Sequence, residues 1–336
     1  NLLHMHKYVL LLGILLASCS PETSKDVTLL DPSLQTILSP QASIEYLTEK
    51  IYSVSEGPAW STEHMGLLFT DVQSNKMYLW QEGKGVRLFL DPSGYTAYAP
   101  TFEKGQNGAN GLLIQEGRLI ICQHGDRRVA VVTSIEGTTP SFQTLVDTFD
   151  GKRFNSPNDL IQSKEGDLYF TDPPYGLFNK ETQAFDETLY RELPFNGVYR
   201  YRLGGEVTLI TKELTRPNGI ALSLDENYLY VNNSDKDRPV MMRYEVNNNW
   251  APSVFFDGSA LSEKYEGSFD GMKVHSSGHI FTTGPNGILI LSPEGTLKGT
   301  INFGGRITNC AFDPTEDYLY VTTFSQVARI KLQPNK

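Results

Sequence analysis

Apolar and polar positions in this chain alternate in short runs separated by turn residues, and one such run recurs. A turn residue precedes three residues of strand character and then a small or polar one. The phrase reads Leu67-Leu68-Phe69-Thr70, Leu119-Ile120-Ile121-Cys122, Leu168-Tyr169-Phe170-Thr171, Leu229-Tyr230-Val231-Asn232, Ile280-Phe281-Thr282-Thr283 and Leu319-Tyr320-Val321-Thr322. Successive starts lie 52, 49, 61, 51 and 39 residues apart. A second strand follows each: KMYLW (76–80), RVAVV (128–132), GVYRY (197–201), MMRYEV (241–246), GILIL (287–291) and VARIKL (327–332). Helical solenoids would need apolar spacing near 3.6, which is missing. Repeats of about 40 to 50 residues built from short strands predict propeller blades, because one blade cannot bury both faces alone. The expectation is an all-β, six-bladed β-propeller over 43–336. The early run Ile44-Glu45-Tyr46-Leu47 is placed to complete the last blade and close the ring, protecting its edges.

Two segments break the pattern. The longest interval carries an insertion between Asp172 and Gly197, opening with Pro173-Pro174-Tyr175-Gly176 and continuing through polar residues. A loop of that length in a regular array reads as a lid or pocket wall. At the other end, residues 1–18 place one lysine ahead of a short apolar stretch, too short to span a bilayer and suited to an export signal. Its end, Leu16-Ala17-Ser18-Cys19, resembles a bacterial lipobox, which implies lipidation at Cys19. Residues 19–42 read as a tether. The expected location is that of an exported, membrane-anchored bacterial lipoprotein, facing the periplasm or on the outer membrane, touching lipid only through its anchor.

Composition narrows the partners. Across 336 residues, Lys+Arg of 29 against Asp+Glu of 39 leaves −10 without basic runs, which excludes nucleic acid as an expected partner. Three cysteines are too few for a disulfide framework. Cys122 and Cys310 fall on different blades and are expected to be unpaired and buried. Arg127 and Arg128 read as partners of blade-surface carboxylates. No serine-nucleophile elbow, His-Glu-x-x-His helix, Walker loop or dinucleotide fingerprint is present.

The candidate chemistry lies in a positional match within the repeat. Counting back from each strand phrase, Glu56 is 11 residues ahead, Asn110 9, Asn158 10, Asn218 11, Asp270 10 and Asn309 10. Their contexts are SEGPAW, GANGLL, SPNDL, RPNGIA, SFDGMKV and ITNCAF. Tight turns would account for the Gly and Pro but not for an oxygen-bearing side chain in every repeat. Equivalent positions in a pseudo-sixfold array share one radius, so the expectation is a ring of two carboxylates and four carboxamides at one mouth of a central metal-binding channel. Such a ring suits a hard divalent cation, calcium first, with Mg2+, Mn2+ and Zn2+ as other candidates.

SEGPAW, SPNDL, RPNGIALS and FDGMKV are similar to signatures of the senescence-marker-protein, gluconolactonase and luciferin-regenerating-enzyme family. CQHGDRRV (122–129) and YFTDPPYGL (169–177) resemble its bacterial gluconolactonase branch. The resemblance runs from Ser43 to Leu332. It implies a six-bladed propeller with a divalent cation, usually calcium, in the channel. It also implies Glu56, Asn218 and Asp270 as ligands, with Asn158 beside the metal as ligand or substrate holder.

The resulting expectation is a metal-dependent hydrolase of sugar lactones. Asp270 is the expected general base, Asn158 orients substrate, and His124 is the alternative base or a donor to substrate. Asn110, Asn309, Asp172 and Tyr175 are the expected substrate contacts. The competing readings are a non-catalytic surface propeller that binds glycan or protein, and an organophosphate hydrolase built on the same metal site.

Overall fold

The computed structural model describes residues 26–101, 105–179, 182, 184–185 and 190–334. The export signal and Cys19 lie outside the described residues.

Six antiparallel sheets follow one another along the chain. Blade one is Ser55–Ser61, Gly66–Asp71, Lys76–Gln81 and Gly85–Leu90. Blade two is Ala109–Gln115, Arg118–Gln123, Arg128–Glu136 and Thr139–Val146. Blade three is Leu160–Gln162, Leu168–Asp172, Gly197–Tyr201 and Val207–Thr211. Blade four is Pro217–Leu222, Tyr228–Asn233, Val240–Glu245 and Ala251–Asp257. Blade five has Met272–Val274, Ile280–Gly284, Gly287–Leu291 and Leu297–Ile301, and blade six has Ile307–Phe312, Tyr318–Thr323 and Val327–Lys331. The first strand of each blade packs against the first strand of the next, and that of blade six against that of blade one, which closes the ring. The recurring sequence phrase is the second strand of every blade.

Closure is antiparallel and non-local. Ile44–Tyr46 pairs with Val327–Lys331 in the register Ile44↔Ile330, Glu45↔Arg329, Tyr46↔Ala328, giving blade six its fourth strand. The expected tether is different from Asp26 onward. Val27–Leu29 adds a fifth strand to blade five against Leu297–Ile301, and Pro32–Thr36 forms a 3-10 turn. Leu34, Ile37 and Leu38 then bury themselves against Phe303, Leu319 and Ile330. Apolar residues inside the polar stretch draw it onto the wall between blades five and six, because their burial outweighs the freedom of a loose linker.

Apolar side chains of period two interleave between adjacent blades: Phe154, Phe170 and Tyr199 with Val129 and Val131, and Ile220, Leu229 and Val231 with Tyr169 and Val198. Cys122 and Cys310 are buried free thiols in these layers, as expected. Arg127 pairs with the exposed carboxylate of Glu192 at 3.5 Å, as expected, whereas the partner of Arg128, Asp126, is itself buried. Both arginines are buried, Arg127 Nε donating to Phe154 O at 2.7 Å and Arg128 bonding Gln123, Thr144 and Asp126. The insertion folds into a 3-10 turn, Tyr175–Leu177, and a small hairpin, Phe178–Asn179 with Ala184–Phe185.

Candidate active site at the channel mouth

The inner strands are irregular where the site residues stand. In blade one the pairing slips between Glu56↔Thr70 and Ala59↔Leu68. In blades two, four and six it slips between Ala109 and Leu112, Pro217 and Ile220, and Ile307 and Asn309. Each bulge bends the strand and re-aims a side chain; in blades one, two and four the re-aimed residue lines the cavity described below. Asn158 and Asp270 stand two residues ahead of their inner strands, Leu160–Gln162 and Met272–Val274.

The glycines beside these residues serve close approach between blades rather than turns. Gly111 N–H donates to Asn158 O at 2.7 Å, Gly219 N–H to Asp270 O at 3.0 Å and Gly271 N–H to Thr308 O at 2.8 Å. A Cβ on Gly219 would sit 2.1 Å from Asp270 O, and one on Gly57, at φ +50°, 2.0 Å from Asn110 O. Only glycine lets one blade's site residue hold its neighbour's backbone.

Glu56, Asn110, Asn158, Asn218, Asp270 and Tyr175 line one cavity of about 690 Å³. Its wall includes Phe178 and Phe185 of the insertion, so that loop does border the pocket. Neighbours fix which end of the Asn218 and Asn158 amides faces inward. Asn218 Nδ2 donates to Ser234 Oγ at 3.1 Å, and Ser234 Oγ lies 2.5 Å from Tyr175 Oη. His124 Nδ1 lies 3.2 Å from Gln106 O, and His124 Nε2 lies 3.4 Å from Asn158 Nδ2. A neutral ring with its proton on Nδ1 donates to that carbonyl and accepts the Asn158 amide. Burial holds the His124 imidazole down at about 4, which keeps it neutral. The carboxamide oxygens of Asn110, Asn158 and Asn218 and Oδ1 of Asp270 are left buried without a hydrogen-bond partner.

Three expected contacts are elsewhere. Asn309 Nδ2 donates to Glu56 Oε2 at 3.2 Å while its Oδ1 accepts from Cys310 N–H at 2.9 Å, so it steadies Glu56 and does not line the cavity. The sixfold equivalence thus fails at blade six, because its bulge turns the amide sideways onto blade one. Asp172 is fully buried and accepts from the backbone N–H groups of Asn155 at 2.8 Å and Ser156 at 2.7 Å, pinning the loop ahead of Asn158. His124 is likewise enclosed and stands behind Asn158 rather than on the cavity wall.

The two carboxyls are held in tension. Burial raises the Glu56 carboxyl, with the Gly57 N–H at 2.9 Å and the Asn309 amide pulling it back. Burial raises the Asp270 carboxyl well above the usual range, and the neighbouring Glu56 charge adds to it. Oxygens without donors and carboxylates that resist ionising together fit a divalent cation, which would satisfy both. Among the described residues no three His, Cys, Asp or Glu side chains form a metal cluster. The fitting donors are instead mixed carboxylate and carboxamide oxygens.

Sequence reasoning missed Ser234, Asn232, Arg216 and Arg306. Asn232 Nδ2 donates to Asp270 O at 2.7 Å and to Thr282 Oγ1 at 2.8 Å, fixing the Asp270 backbone. Asn232 occupies the small-or-polar end of the recurring phrase, which was a signal for this role; the arginines directly before the inner strands carried none.

The SMP-30/gluconolactonase/LRE-like region matches residues 54–325. A gluconolactonase of Zymomonas mobilis is 36% identical over 91% of this chain and 85% of its own. A pentonolactonase of Haloferax volcanii is 23% identical over 80% and 81%. The structure of a gluconolactonase from Xanthomonas campestris superposes with a TM-score of 0.78 at 27% identity, covering 92% of this chain and 95% of that one. The family model over residues 54–325, the 36% identity to the Zymomonas enzyme and the six-bladed ring together show that this chain belongs to the SMP-30/gluconolactonase/LRE-like family.

Proposed function

We propose that this chain, a gluconolactonase-like lactone hydrolase, opens a sugar lactone by attack of water on the ester carbonyl, aided by a divalent cation, calcium first. Glu56, Asp270, Asn158 and Asn218 would hold the ion. The supporting observation is the set of buried oxygens on Asn158, Asn218 and Asp270 that face one cavity without donors. Each such atom costs about 1–3 kcal/mol if left unpaired. The all-oxygen set favours a hard ion over zinc, and His124 has both ring nitrogens engaged.

Such an ion would polarise the carbonyl and lower the pKa of bound water. Asp270 is placed to supply the base: its carboxyl lines the cavity beside Glu56 and Asn218, within the same set of oxygens that would hold the ion. As the water oxygen bonds to the carbonyl carbon, its proton passes to the Asp270 carboxylate. The acyl–oxygen bond of the ring then breaks, and that proton returns to the departing ring oxygen as a hydroxyl. The product is the open-chain acid. Asn158, steadied by His124, orients the lactone, and the aromatic wall from Phe178 and Phe185 covers one side of the pocket.

The test is hydrolysis of five- and six-membered sugar lactones by the purified chain, before and after chelation and with calcium restored. Activity lost on chelation and regained with calcium supports the reading. Undiminished activity in fully demetallated protein overturns the metal's role, and failure on every lactone overturns the activity. We also propose anchoring through Cys19: Cys19→Ala is expected to release the protein from membranes, and a variant that stays bound defeats that reading.

A further inference from the structure

The cavity mouth carries charge opposite in sign to the chain as a whole. Arg216 and Arg306 both line it, each on the residue just before an inner strand, in blades four and six. Their backbones are pinned alike: Arg216 O accepts from Ser234 N–H at 3.0 Å and Arg306 O from Phe324 N–H at 2.8 Å. Each guanidinium lies over an aromatic ring of the same wall, Arg216 5.1 Å from the centre of Phe185 and Arg306 5.2 Å from that of Phe324. Arg216 is half-buried and Arg306 exposed. Among the described residues neither comes within ion-pair distance of a carboxylate, unlike Arg127, Arg128, Arg200 and Arg329. Beyond ion-pair distance, Asp270 feels the Arg306 charge and Asp235 that of Arg216, and the Asp235 carboxylate is bonded to the Thr215 hydroxyl and the Asp237 N–H.

The remaining lining charges are Glu56 and Asp270. A divalent ion held there would balance their two negative charges, and the two guanidiniums would then leave the pocket positive. A neutral sugar lactone offers them oxygens to bond but no charge to pair. A guanidinium stacked on an aromatic face keeps its planar N–H fork free, and that fork matches a carboxylate or phosphate.

We propose that the preferred substrate is an anionic lactone, bearing a carboxylate or phosphate ester away from the lactone carbonyl, and that Arg216 and Arg306 hold that group. This rests on the lactonase reading above. The experiment compares kcat/KM for a neutral aldonolactone, its terminal phosphate ester and the lactone of a dicarboxylic sugar acid, in wild type, Arg216→Gln, Arg306→Gln and Arg306→Lys. One anionic lactone is expected to exceed the neutral one by at least about tenfold, the carboxylate and phosphate arms showing which group is read. The preference is expected to shrink with added salt, to collapse in Arg306→Gln and to return in part in Arg306→Lys. Equal kcat/KM for neutral and anionic lactones, or a preference unchanged in both Gln variants, overturns the proposal while leaving the lactonase reading standing. If no lactone is turned over, the lactonase reading has failed, and calorimetry with the open-chain acids judges the arginines. Tighter binding of the acid with the extra anionic group, lost in Arg306→Gln, supports them; equal binding rejects them.

Discussion

Asn309 donates its amide to Glu56 Oε2 at 3.2 Å, joining side chains 253 residues apart across the seam where blade six meets blade one. The Cys310 N–H holds the other end of that amide, so Asn309 cannot rotate without losing a bond. Asn309→Ala is therefore expected to weaken calcium binding by about tenfold, the scale on which a residue that orients a ligand matters. Calcium titration of purified variant and wild type measures it, and an unchanged affinity would show that Glu56 needs no such brace.

Gly219 separates close approach from turn chemistry. A methyl group there meets the Asp270 carbonyl at 2.1 Å and Gly271 Cα at 2.8 Å, both backbone atoms that cannot swing aside. Gly219→Ala is expected to cost about 1–3 kcal/mol of stability through overpacking, and to weaken calcium binding by displacing Asp270. Gly305, with nothing within 4 Å of an added Cβ, is the control, and Gly305→Ala is expected to be near neutral. Equal denaturation midpoints for the two variants would refute the account.

Much of this was legible beforehand. Period-two runs at regular spacing carry the blade count, because every blade buries its second strand in the same way; Ile44 announces ring closure by the same alternation. Glu56, Asn158, Asn218 and Asp270 could be found by counting back from that strand. Their neighbours could not. Asn309 has the same residue type and spacing as its equivalents, yet its amide turns toward blade one, and only the three-dimensional seam decides that. The polar segment holding Leu34 read as a tether because its few apolar residues show no period, although each finds a place against blades five and six.

His275 makes stability depend on pH away from the site. It is buried between blades five and six, with Nε2 3.1 Å from Glu316 Oε2 and Nδ1 2.8 Å from Ser277 Oγ. Burial holds its imidazole below the usual histidine range, His279 pushing the same way and the Glu316 charge opposing. The unfolded chain therefore binds that proton more readily than the folded one, so stability is present above pH about 6.5 and falls as the pH drops below it. His275→Asn is expected to lose less Tm than wild type between pH 7.5 and pH 5.5, two assay settings about one unit either side of that value. Parallel Tm profiles would remove His275 as the source.

Asn158 and Glu56 separate catalysis from ion binding. Glu56→Gln removes one of the two negative charges lining the cavity and is expected to abolish tight calcium binding. Asn158 is neutral, so Asn158→Ala should retain part of that affinity. Its Oδ1 nevertheless faces the cavity without a donor, turned there by the His124 ring, where it can fix the approach of a lactone to water. Under saturating calcium, Asn158→Ala is expected to lose at least about tenfold in kcat, roughly 1.4 kcal/mol of barrier. His124→Ala, which frees the amide to flip, should lose part of the same factor while leaving calcium bound. Full turnover in Asn158→Ala would take that side chain out of the mechanism, and with it the reason for a neutral histidine behind it.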